Sequence, residues 1–212
     1  INVIVANLQQ QSQPFLLKNG NFYCHKYVIR IKPMRLNEIE SKYLIIYPGR
    51  FQPFHMGHKM VYDYLVKNYR SSPVYIATSN KVEPPKSPFN FAEKKIMMET
   101  TGVPSDRIVL TKNPYQALEI TANYAPEKTV LVFAVSEKDM AEDPRFSFSP
   151  KKDGSPSYLQ PFSGTSEHAT FDKHGYVVTV PTFDFKVLGK PVRSATEIRA
   201  MYQQGDNETR MK

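Results

Sequence analysis

Two histidines three residues apart, His55 and His58, flank Gly57 and follow the fixed cation Arg50. Imidazole N–H groups donate hydrogen bonds to non-bridging phosphoryl oxygens, whose charge grows as a phosphoryl group is transferred. A guanidinium adds permanent positive charge, and a glycine lets a phosphate approach the main chain. A second group of the same kind lies near the end of the chain. Ser194 and Thr196 put hydroxyls where a helix would begin, and Arg199 falls one turn on, able to fold back over an anion at that helix start. Each group also has a plainer reading: His-x-x-His can be half of a metal site, and Ser194 with Glu197 has the spacing of an ordinary capping box. No carboxylate or thiol stands at a spacing that would complete a metal site, so no metal ligands are assigned.

Chemistry of this kind needs elements that aim the residues at one point. Tyr43-Leu44-Ile45-Ile46-Tyr47 is a continuous apolar run closed by Pro48-Gly49, as a parallel strand buried on both faces should be. His58–Tyr69 then places Val61, Tyr64, Leu65 and Asn68 at helical spacing. The histidines therefore sit in a strand-to-helix turn, where open parallel sheets bind ligands and a helix N-terminus offers unpaired N–H groups. Pro73–Thr78, Arg107–Thr111 and Thr129–Val135 read as further strands, and Phe91–Thr101 and Pro114–Tyr124 as helices between them. This alternation predicts an α/β fold, a Rossmann-like doubly wound parallel sheet. Tyr176–Val180 and Thr182–Val187 add ordered segments, and Ser194–Gln204 reads as a last helix with Ser194 as N-cap.

Two stretches break the rhythm. Residues 1–33 open with a Gln-rich segment, then carry the turn dipeptide Asn19-Gly20 and the alternating stretch Phe22–Ile31. They predict an N-terminal extension, a hairpin or a linker, ahead of a domain over residues 34–212. Residues 143–175 mix Pro, Gly, Ser, Lys and aromatic side chains and predict a long loop insertion, either a site-shaping lid or a disordered excursion.

Composition narrows the ligand. Among 212 residues the formal charge is +8, yet the excess is spread along the chain and the densest cationic pairs are only Lys94-Lys95 and Lys151-Lys152. A nucleic-acid stripe is thus weakly supported, and a small anion fits better. Apolar runs fall short of the roughly 18 residues that cross a bilayer, so no membrane span is expected. Cys24 alone can form no intramolecular disulfide, which fits a reducing, cytoplasmic setting. The chain begins at Ile1 without a signal-like segment and reads as a fragment. Neither a P-loop, a Gly-x-Gly-x-x-Gly fingerprint nor a Gly-x-Ser-x-Gly elbow occurs.

Gly49-Arg50-Phe51-Gln52-Pro53-Phe54-His55-Met56-Gly57-His58 resembles the signature of the nucleotidyltransferase superfamily with a His-x-Gly-His motif, most closely its nicotinamide-nucleotide adenylyltransferases of archaeal and bacterial type. Lys86–Met98 is similar to the family's Asn-Pro-Phe-Thr-x-x-Glu-Arg segment, with Ser87 in place of Asn and Lys94 in place of Arg, departures that bear on the second substrate. Ser194-Ala195-Thr196-Glu197-Ile198-Arg199 resembles its C-terminal phosphate motif. The resemblance implies transfer of AMP from ATP to a phosphate monoester, with nicotinamide mononucleotide as acceptor and pyrophosphate released. It implies His55, His58 and Arg199 as catalytic residues, and Gly49, Arg50, Phe51, Gln52, Gly57, Ser194 and Thr196 as nucleotide-binding ones. Mg2+ would ride on the nucleotide phosphates, and a homo-oligomer is allowed. Asp139, after the fourth strand, reads as a solvated loop residue rather than a ligand contact. One alternative is a cytidylyltransferase using CTP and a polyol or choline-type phosphate. Those relatives usually carry Arg-Thr-x-Gly-Ile-Ser-Thr-Thr before the last helix, where this chain has Val192-Arg193-Ser194-Ala195-Thr196. A pantetheine-phosphate adenylyltransferase usually has Thr in place of His55. A third reading is a nucleotide- or RNA-binding module without turnover.

Overall fold

The computed structural model describes residues 43–142, 146–163, 167–192 and 194–206 and, for their main chain, residues 16–18, 21–24 and 27–29. The chain divides into two compact units, Ile1–Glu40 and Ser41–Lys212. In the first, β1 (Leu16–Lys18), β2 (Asn21–Cys24) and β3 (Tyr27–Ile29) form an antiparallel meander. Leu17 pairs with Phe22 and Lys18 with Asn21, while the Asn19-Gly20 dipeptide expected to turn the chain lies outside the described residues.

The second unit is built on six parallel strands: β4 (Tyr43–Pro48), β5 (Val74–Thr78), β6 (Ile108–Leu110), β7 (Val130–Ser136), β8 (Leu159–Pro161) and β9 (Gly175–Val180). Their order across the sheet is β6-β5-β4-β7-β9-β8, with every ladder parallel. The chain winds outward from β4 to β6, returns to β7 and winds the other way, which is the doubly wound α/β plan. Both faces are covered, and this explains the unbroken apolar run of β4. Ile45 and Tyr47 join one buried cluster with Val61, Leu65 and Met98, while Leu44 and Ile46 join the other with Ile120, Phe133 and Phe146.

Helix α1 (Met56–Asn68) starts two residues before the histidine expected to open it, because His55 itself is the N-cap. Its packing matters more than its cap. Val61 and Leu65 are buried, at about 1.5–3 kcal/mol each, against about 1 kcal/mol for a cap. Helix α2 (Phe91–Thr100) carries an Asn90–Glu93 capping box, each side chain bonded to the other's main-chain N–H.

The helix expected over Pro114–Tyr124 shrinks to α3 (Leu118–Thr121). Asn113 Oδ1 takes the Tyr115 N–H and the Glu119 carboxylate takes the Lys112 N–H, while Ala117 lies left-handed at φ 48°, so the chain turns before it can coil. A short helix, α4 (Glu137–Glu142), follows β7 directly. The 143–175 stretch is more than a loop: it supplies β8 as the sheet's edge, and Phe162 stacks on His168 at 4.3 Å against the core. The ordered segment expected over Thr182–Val187 contains a short strand, β10 (Phe185–Val187), which pairs antiparallel with β11 (Lys190–Val192). Leu188 and Gly189 both have positive φ, as the tight hairpin turn between them requires. Helix α5 (Ala195–Gln204) closes the described fold with Ser194 as its N-cap. Among the described residues no helix is long and apolar enough to cross a membrane.

Candidate functional site

Strand β4 leads one way across the sheet and β7 the other, so a crevice opens at their carboxyl ends, the place where doubly wound sheets take ligands. A cavity of about 610 Å³ lies there. The residues that the resemblance implies as catalytic or nucleotide-binding all line it: Gly49, Arg50, Phe51, Gln52, His55, Gly57 and His58 after β4, and Ser194, Thr196 and Arg199 at the start of α5. Ser136 and Asp139 reach it from the end of β7, so Asp139, expected to be merely solvated, is a wall of the cavity.

The two imidazoles are held by the backbone of their own turn. The His58 N–H donates to His55 Nδ1 at 3.4 Å and the His55 N–H donates to His58 Nδ1 at 3.3 Å. With both Nδ1 atoms accepting, the neutral rings carry their protons on Nε2. The rings stack on each other at 3.6 Å, and Phe185 of β10 stacks on the far face of His55 at 4.6 Å. Burial lowers the His55 pKa to about 4. Burial, and then the neighbouring His55, hold His58 well below the ordinary imidazole value. Both rings are thus neutral donors near pH 7.

The remaining motif residues divide between shaping the loop and facing the cavity. Gly57 was expected to clear a path for phosphate; in the structure, a Cβ there would meet the Phe185 ring at 3.0 Å and His55 Cε1 at 3.1 Å, so its bareness lets those rings close in. Gly49 plays the same part for the Phe51 ring, which a Cβ would approach to 2.7 Å. Phe51 is buried at φ 49°, edge-on to Tyr47 and His58. The Gln52 side chain is turned away from solvent: its amide donates to Phe89 O at 2.7 Å and its carbonyl accepts the Phe89 N–H at 2.9 Å. Arg50 is exposed at the rim.

From the other end of the chain, Arg199 Nη1 donates to Gln52 O and Nη2 to Thr196 Oγ1 at 3.2 Å, so the C-terminal motif is tied to the histidine loop across 147 residues of sequence. Ser194 Oγ accepts the Glu197 N–H at 3.2 Å and donates to the Glu197 carboxylate at 2.9 Å. The hydroxyl is occupied within its own cap.

Sequence reasoning gave no site role to Phe185, whose hairpin has no strong turn signature, nor to Lys86, Tyr115, Thr182 and Phe183, which line the cavity. It also read Lys94 only as a departure from a substrate-contact motif, whereas the side chain is fully buried beneath the loop. Among the described residues no three His, Cys, Asp or Glu side chains meet as a metal site. A second cavity of about 600 Å³, sharing Tyr115 with the first, lies beyond β5 and β6 and is lined by Ser79, Lys81, Lys112, Asn113 and Glu119.

Residues 46–152 match the family described as cytidylyltransferase-like. A nicotinamide-nucleotide adenylyltransferase of Sulfolobus acidocaldarius is 28% identical over 99 residues, which is 41% of this chain and 55% of that protein. One from Sulfurisphaera tokodaii is 32% identical over 54 residues, 26% of this chain and 31% of that protein. The matched part thus spans about half, or less, of these relatives. A bifunctional NMN adenylyltransferase/ADP ribose pyrophosphatase from Francisella tularensis superposes with a TM-score of 0.45 at 19% identity, over 77% of this chain and 42% of that one. The family match covers half of this chain and contains the whole histidine turn, and the chain belongs to the cytidylyltransferase-like family of nucleotidyltransferases.

Proposed function

We propose that the chain transfers AMP from ATP to a phosphate monoester, with nicotinamide mononucleotide as the acceptor. The observation that carries this is the convergence of two distant phosphate-type motifs on one cavity, with Arg199 bonded to the main chain of the histidine loop. The relatives' name supplies the acceptor. A phosphate oxygen of the acceptor attacks the α-phosphorus in line, the bond from the α-phosphorus to the bridging oxygen breaks, and pyrophosphate leaves with the electron pair. The attacking phosphate is already anionic near neutral pH, so no general base is needed. What the protein supplies is position and charge.

His55 and His58 donate Nε2–H to the α- and β-phosphoryl oxygens. Arg199 and Thr196, with the main chain at the Ser194 cap, hold the β- and γ-phosphates, and Arg50 adds charge at the rim. Lys86 joins Arg50 and Arg199 among the described lining residues, so the wall is cationic apart from Asp139. Magnesium carried by the nucleotide would neutralise part of the phosphate charge, and among the described residues no cluster of His, Cys, Asp or Glu would hold it on the protein. The second cavity, with Lys81 and Lys112, suits the acceptor, and both volumes fall in the range of small-molecule sites. The single cysteine fits work in a reducing cytoplasm.

The test is to offer ATP or CTP with a panel of phosphate monoesters and follow pyrophosphate. Release with ATP and nicotinamide mononucleotide is expected. A preference for CTP makes it a cytidylyltransferase, and no release with any pair leaves a nucleotide-binding module.

A further inference from the structure

The ammonium of Lys94 is the one fully buried charge among the largest buried side chains described. It sits on α2 with three neutral acceptors around it: Ser79 O at 2.6 Å, Thr78 Oγ1 at 2.7 Å and Arg50 O at 3.2 Å. An ammonium has three N–H bonds, so this set uses all of them. Burying a cation among neutral partners is unfavourable, and it shows as a pKa pulled down to about 8. An apolar chain would fill the same space without that penalty, as Met98 does one turn further along the helix. What an apolar chain cannot do is grip carbonyls.

The gripped carbonyls belong to the segments that leave β4 and β5, neighbouring strands; Pro48 and Arg50 line the first cavity and Ser79 the second. Arg50 immediately precedes Phe51, a non-glycine residue at φ 49°, and such a backbone needs its surroundings to hold it. Other bonds hold the same loop: Gly49 N–H to Ala77 O at 3.0 Å, and Thr78 Oγ1 to Arg50 O at 3.5 Å. We propose that Lys94 is a positioning residue, whose ammonium locks the backbone of the Gly49–Gln52 loop to the end of β5 and so sets where His55 and His58 stand. The kinetic side of this rests on the adenylyl-transfer reading; the structural side does not.

Amide hydrogen exchange and steady-state kinetics on the full chain test it with Lys94→Met, which keeps length and loses the three donors. Exchange in a peptide covering residues 49–58 is expected to quicken while β7 keeps its wild-type protection. The kcat should fall about tenfold or more as the reacting groups lose alignment. The KM for ATP should move by less than about threefold, since the lysine touches no substrate. Thr78→Val, nearly isosteric, removes one acceptor and the hydroxyl's bond to Arg50 O, and should give the same local pattern more weakly. This second variant decides the matter if the first does not fold. Unchanged exchange at 49–58, or exchange raised equally in β7, overturns the proposal. Wild-type protein that releases no pyrophosphate, together with local loosening in the variants, defeats the functional reading and leaves the lock standing.

Discussion

A neutral imidazole donates only through the nitrogen that bears its proton, and in His55 and His58 the main-chain N–H bonds to Nδ1 assign that proton to Nε2. Removing one such preorganised donor ordinarily costs about a hundredfold or more in turnover. His58→Ala is therefore expected to lower kcat by at least about that factor, measured by pyrophosphate release. Near-normal turnover would refute the assigned role. The same burial that keeps the rings neutral has a thermodynamic signature. His55 has a folded pKa of about 4, below the ordinary 6.5, and His58 is lowered in the same direction. Between pH 6.5 and 4 the unfolded chain binds protons that the folded chain refuses, so stability from this source is complete above pH 6.5 and lost as pH falls toward 4. Denaturation midpoints should fall across that window, and the fall should be shallower in a His55→Asn/His58→Asn double variant. Equal slopes in the two proteins would place the acid sensitivity elsewhere.

At the level of elements, the helix starts and the hairpins show what was legible beforehand. The strand–turn–helix setting of the histidines could be read because β4 is apolar throughout and Val61 and Leu65 repeat at helical spacing. The first turn of α1 could not, since a histidine cap is outside the usual Ser, Thr, Asp and Asn. Pro114 suggested a helix start that a left-handed Ala117 overrides, and β8 was hidden because three residues in a Pro- and Ser-rich stretch carry no periodicity. The β10–β11 hairpin turns on Leu188-Gly189 in place of the usual Asn-Gly, so its role could not be foreseen, although it delivers Phe185 onto His55. Phe185→Ala should uncover that ring. The expected result is a His55 pKa displaced from about 4 toward 6.5 in an NMR titration, with turnover reduced. A pKa that stays near 4 would mean that burial by other neighbours, rather than the hairpin, keeps the ring neutral.

On the scale of the whole molecule, the division at residues 40 and 41 separates the meander from everything the proposed chemistry uses. Both buried clusters, the two cavities and the segment that matches the family lie within Ser41–Lys212. Among the described residues Arg50, Lys86 and Arg199 bring positive charge to the first cavity, three of the 28 Lys and Arg residues of the sequence. If the second unit is self-sufficient, a chain beginning at Ser41 should melt cooperatively. Its kcat and its KM for ATP should each stay within about threefold of the full chain's, a difference under about 0.7 kcal/mol. The two failures would mean different things. Loss of cooperative melting would show that the first forty residues contribute to the stability of the sheet domain. Intact melting with a large rise in KM would instead give those residues a part in substrate binding that no residue lining the described cavity supplies.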